Sequence, residues 1–214
     1  KFLKIIYFLE YKKRNKYKYK FDERITNNLL KKGYSFSSAN IYKLFRESNL
    51  REEFYNINWD AENINKRKSW MWYYVPEINA SMVSLINSLA LELSGYLDGL
   101  PVLRSLYFWR SHSCETNQKY KGSQLFHMDN NDWRQIRVFY AIDDINLENG
   151  SIEFISSKKS RKIYRHFKIS EESNLRNIKR EDIYFQKFSK DIKTKSLEAG
   201  QLLYLDAGNC YHRG

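Results

Sequence analysis

A chain of 214 residues with 42% hydrophobic and 16% aromatic side chains is long enough for one domain-sized core and too apolar to remain unfolded over most of its length. The formal net charge of +12 favours anionic partners, whether phosphorylated or carboxylated molecules, nucleic acid or an acidic membrane surface. Lysine is spread along the whole chain, however, so the charge reads as background composition rather than as a dedicated nucleic-acid face.

Two cysteines, Cys114 and Cys210, rule out a disulfide framework and suit a reducing, cytoplasmic compartment. No apolar run reaches bilayer length. The lysine-interrupted opening, residues 1–9, has no small-residue cleavage site, which argues against a signal peptide. The chain starts without Met and stops just beyond His212, so both ends read as cut.

In chain order, residues 11–20 alternate Lys or Arg with Tyr, as a solvated arm or a nucleic-acid contact would. Residues 22–32 and 37–50 read as short helices, the second capped by Ser37 or Ser38, with Lys32-Gly33-Tyr34 between them. The Trp-rich residues 68–75 read as a strand with aromatic faces. Pro76 then opens the strongest helix, in which Ile78, Met82, Leu85, Leu89, Leu93 and Tyr96 form an amphipathic stripe. That stripe is expected to pack on the outside of a sheet, and Gly95 and Gly99-Leu100-Pro101 end the helix.

From Val102 onward strands dominate. They are expected at residues 102–110, 123–129, 135–142, 152–155 and 201–205, with a polar loop over 111–122 and a turn at Asn149-Gly150. Residues 157–194 are basic and polar and read as a long insertion with local helix, of the kind that forms a substrate lid.

Within residues 123–129, Leu125, His127 and Asp129 alternate with Gln124, Phe126 and Met128, so His127 and Asp129 share a strand face. An imidazole and a carboxylate so placed can take adjacent positions on one metal ion. A further histidine completes the two-His, one-carboxylate set that leaves three positions of an Fe(II) open, and His212 follows a suitable apolar strand. His112 and His166 read as surface histidines, Cys210 as a small buried filler, and Asp143 and Asp144 as turn residues. Trp133 is a candidate for the cavity wall or its rim. The sequence contains no Gly-rich phosphate loop, Cys-x-x-Cys pair or nucleophile elbow.

The ordered series Ser123-Gln124-Leu125-Phe126-His127-Met128-Asp129, Val138-Phe139-Tyr140-Ala141-Ile142-Asp143-Asp144, Glu148-Asn149-Gly150-Ser151-Ile152-Glu153-Phe154-Ile155 and Ser156-Ser157-Lys158 resembles the phytanoyl-CoA dioxygenase-like branch of the Fe(II)/2-oxoglutarate oxygenases. The closing segment, from Ala199-Gly200-Gln201 to His212-Arg213-Gly214, is similar to that family's distal strand, which ends His-Arg-Gly in many members. The likeness covers roughly the C-terminal half.

It implies a mainly β fold with flanking helices (α+β): a double-stranded β-helix, or cupin-like jelly roll, over residues 101–214, with an N-terminal helical layer over 1–100 and the whole a single structural domain. It implies His127, Asp129 and His212 as iron ligands, 2-oxoglutarate as co-substrate, and hydroxylation of a small or lipid-like, and in view of the charge anionic, organic substrate. Retention of Asp129 favours hydroxylation over halogenation, since halogenating relatives carry a small neutral residue there. The family's usual clamp for the far carboxylate is an Arg several residues beyond the distal His, where this sequence has ended. Arg213 is adjacent to His212 and faces the other way on a regular strand, so Gln124 and Arg137 join it as the candidates for holding the co-substrate. Two other classes stay open: a catalytically idle jelly-roll binding domain, and a basic nucleic-acid-associated protein.

Overall fold

A computed structural model of the chain describes residues 22–67, 70–75, 78–111, 124–129, 135–166 and 187–214. The expected Lys/Tyr arm, Pro76, His112, Cys114 and Trp133 lie outside these residues, as does the side chain of His166. The first helix, α1 (Glu23–Lys32), follows Asp22, whose carboxylate accepts from the Ile25 N–H at 3.1 Å. Glu23 in the first turn and Lys31 and Lys32 in the last complement the helix dipole. Gly33 ends the helix at φ 83°, a left-handed conformation that costs glycine least. A side chain is excluded there twice over, because a Cβ would lie 2.3 Å from Cys210 Sγ and 2.9 Å from Ser157 Cβ.

The segment expected to be a plain connection continues as strand β1 (Tyr34–Phe36). Three residues are too few to show a period-two pattern. The helix expected over residues 37–50 is α2 (Ala39–Glu47), capped by Ser38, and a further short helix, α3 (Leu50–Tyr55), follows where none was expected. Asn49 breaks them apart at φ 55°, a region asparagine tolerates. Strands β2 (Asn65–Arg67) and β3 (Trp70–Tyr74) follow. The strongest helix, α4 (Ala80–Leu97), starts later than expected, because the side chain of Asn79 accepts from Met82 N–H at 2.9 Å and serves as its cap. Ile78 therefore precedes the helix and is exposed, while Met82, Leu85, Leu93 and Tyr96 carry the buried stripe.

The later elements are β4 (Tyr107–Ser111), β5 (Ile136–Tyr140), β6 (Ile152–Ile155), α5 (Ser157–His166), a 3-10 turn at Ser189–Asp191, β7 (Ile192–Lys195), β8 (Leu202–Asp206) and β9 (His212–Arg213). Thus the stretch expected as an insertion begins as a helix and ends as a strand paired with β6.

Among the described residues the strands make three antiparallel sheets, ordered β1-β8-β5, β2-β3-β4 and β7-β6-β9, which do not close into a barrel. The class is α+β. Strand β8 is buried on both faces, as its unbroken apolar sequence requires. Leu202 and Tyr204 meet Ile25, Leu29, Ile41, Phe45 and the α4 stripe in one core. Leu203 and Leu205 meet Ile152, Phe154 and Cys210 in a second core, between this sheet and β7-β6-β9. No helix among the described residues is long and apolar enough to cross a membrane.

Candidate metal centre

His127 and His212 form one rung of an antiparallel ladder. The His127 N–H donates to His212 O at 3.0 Å, and the His212 N–H donates to His127 O at 2.9 Å. Residues 124–129 are otherwise irregular, where a full strand was expected. On its other edge His212 faces Phe154 of β6, so the pairing of β9 with β6 sets its height. Helix α5 pins the preceding residue: Ser160 Oγ accepts from Tyr211 N–H at 2.9 Å and donates to Ile155 O at 3.0 Å. Asp129 is tied through its own N–H to Ala207 O at 2.9 Å, in the turn after β8.

Both imidazoles are oriented alike. His127 Nδ1 lies 2.8 Å from Leu125 O, and His212 Nδ1 lies 3.0 Å from Cys210 O. A carbonyl oxygen only accepts, so each Nδ1 carries a proton and Nε2 is the ring atom left to face a ligand. The rings stand 4.4 Å apart between centroids. His127 Nε2 is 3.8 Å from Asp129 Oδ1. One ligand atom from each of His127, Asp129 and His212 falls within 4.8 Å of the others, and among the described residues this is the one group of three or more such side chains so placed.

His212 is only 5% exposed. Burial first, and then the neighbouring His127, hold its pKa below the ordinary value, with the Cys210 carbonyl and Asp129 opposing in part. Near neutrality its imidazole is therefore uncharged, as metal ligation needs. Two imidazoles held through their Nδ1 atoms and a carboxylate make a donor set that fits a divalent transition metal.

The structure also brings Arg137 of β5 to this group. Its Nε donates to Asp129 Oδ2 at 2.5 Å, and its Nη1 donates to the Tyr107 hydroxyl at 2.8 Å. Burial works against the charged guanidinium, but the hydrogen bond to Asp129 and the charges of Tyr107 and Asp129 outweigh it, and its pKa is raised. Arg213 is turned elsewhere. Its Nε donates to the Glu153 carboxylate at 2.5 Å, directly across the β9–β6 ladder, and its guanidinium lies 5.0 Å from the Phe126 ring centre. Gln124 is half-buried at the start of the irregular segment.

Sequence reasoning gave no role to Tyr107, or to Glu153 within the series quoted above, since each matters only through a partner on another strand, Arg137 and Arg213. Cys210 is fully buried beside Gly33, and burial pushes its thiol well above the ordinary range. Asp143 accepts from Arg51 of α3 at 3.2 Å, and Asp144 accepts from Ala199 N–H at 2.8 Å. No family model matches the chain, and no curated protein does.

Proposed function

We propose that His127, Asp129 and His212 hold one Fe(II) ion and that the protein is a non-haem, 2-oxoglutarate-dependent oxygenase hydroxylating a small organic or lipid-like molecule. The jelly roll belongs to this reading, with the sheets β1-β8-β5 and β7-β6-β9 as its facing walls. The convergence of the three ligand atoms within 4.8 Å carries it. Iron bound there supplies open positions for a bidentate 2-oxoacid and for O2. The chain's own part is to hold both Nδ1–H groups on the Leu125 and Cys210 carbonyls, which leaves each Nε2 as the ligand atom, and to exclude water from His212.

The test is consumption of 2-oxoglutarate and release of succinate by the Fe(II)-loaded protein. Full coupled activity in His127→Ala or Asp129→Ala would overturn the assignment. One observation favours a second reading, a metal-binding domain without turnover: Arg137 and Arg213, both candidates for holding the co-substrate, already contact carboxylates of the protein. That reading expects stoichiometric metal, dependent on His127, with no 2-oxoglutarate consumed under any condition.

A further inference from the structure

We infer that Arg137 is a positioning residue that keeps Asp129 a one-oxygen ligand, and that Tyr107 holds Arg137 to the task. The inference rests on the metal-site reading above and extends it. The two oxygens of Asp129 point to different partners: Oδ1 lies 3.8 Å from His127 Nε2, and Oδ2 receives Arg137 Nε at 2.5 Å. A guanidinium–carboxylate contact is a charge-assisted hydrogen bond, stronger than one between neutral groups.

Swinging Oδ2 round to a metal as a second ligand atom would break this contact and leave a half-buried guanidinium short of its anion. Tyr107 removes the easy escape. Its hydroxyl engages Nη1 at 2.8 Å, so the guanidinium plane is set from two directions, by β4 in one sheet and by Asp129 beside another. The backbone of Asp129 is fixed independently by Ala207 O, which leaves rotation of the carboxylate as the freedom Arg137 controls.

The consequence is a count of open positions. Two imidazoles and one carboxylate oxygen leave three positions on a six-coordinate ion; a carboxylate bound through both oxygens leaves two. Three are needed for a bidentate oxoacid and a further small ligand together. Arg137, read from sequence as a co-substrate contact, is thus assigned to the protein's own ligand.

The experiment is Mn(II) binding to the intact chain, with inner-sphere water counted by water-proton relaxation. Wild type is expected to hold three exchangeable waters, Arg137→Gln to lose one of the three, and Tyr107→Phe, which removes a single hydroxyl, to give a value between. Arg137→Lys, which keeps a cationic donor, should restore most of the loss. Equal water counts in wild type, Arg137→Gln and Tyr107→Phe would overturn the inference while leaving the metal site standing, and so would a wild-type count of two. Wild-type Mn(II) binding that His127→Ala does not weaken would overturn the metal site itself, and this inference with it. Tyr107→Phe keeps the test decisive should substitutions at Arg137 fail to fold.

Discussion

Tyr204 on β8 donates its phenolic hydrogen to the carboxylate of Glu92 on α4, and both side chains are buried. One helical turn further on, the roles reverse, with Tyr96 on the helix donating to Asp206 on the strand. Glu92 also accepts the Ser38 N–H at 3.1 Å, so one carboxylate ties α4 to both β8 and the cap of α2. Burial, and then the Glu92 carboxylate, push the Tyr204 phenol far above its ordinary range, so it remains a donor. Tyr204→Phe leaves a buried carboxylate short of a donor and should cost about 1–3 kcal/mol in urea unfolding. Metal binding, read on the opposite side of β8, should stay within about twofold of wild type.

Gly33→Ala should destabilise by about 2–4 kcal/mol, through the left-handed backbone and an overpacked contact with Cys210 and Ser157. Thermal unfolding checks it. Adding Cys210→Ala should recover part of the loss, because it removes the sulfur nearest the new methyl group. Strictly additive losses would show that the sulfur is not the obstacle.

Acid should weaken the metal-free fold through His212. Its folded pKa lies below the ordinary 6.5, so between the two values the unfolded chain binds more protons than the folded one. Stability is therefore full above 6.5 and falls as pH drops from there toward the lowered value, by at most about 1.4 kcal/mol per pH unit for this one proton. Urea unfolding of wild type and His212→Gln across this range measures it, and the variant should show the shallower slope. Equal slopes would refute the coupling.

Removing one partner of the buried Arg213–Glu153 pair should be costly, about 3–5 kcal/mol for Arg213→Ala, because the remaining buried carboxylate loses its charged partner. If Arg213 serves the fold and not the co-substrate, 2-oxoglutarate affinity of metal-loaded Arg213→Lys should match wild type in calorimetry. A drop of tenfold or more would return Arg213 to the co-substrate.

Much of the fold is legible where a pattern runs long enough. The α4 stripe of Met82, Leu85, Leu93 and Tyr96 shows at helical spacing, and Ile152–Ile155 stands out between turn signals. Strands β1 and β7 do not, since their three or four residues owe their conformation to Leu203–Leu205 and to β6 across the ladder. The site divides in the same way. His127, Asp129 and His212 belong to residue types whose chemistry proposes a grouping before any fold is known. The use of Arg137 depends on which side chain stands across the gap, and only the meeting of β4 with β5 brings Tyr107 there.

The backbone rung between His127 and His212 locks together two stretches of chain that are distant in sequence. An ion held between those two imidazoles rivets the same stretches, and opening that rung means surrendering the ion. At a free metal concentration a hundredfold above the dissociation constant, this adds about 2.7 kcal/mol to resistance against unfolding. The supply of whichever metal the group binds would then govern how long the polypeptide survives proteolysis, independently of any reaction it carries out.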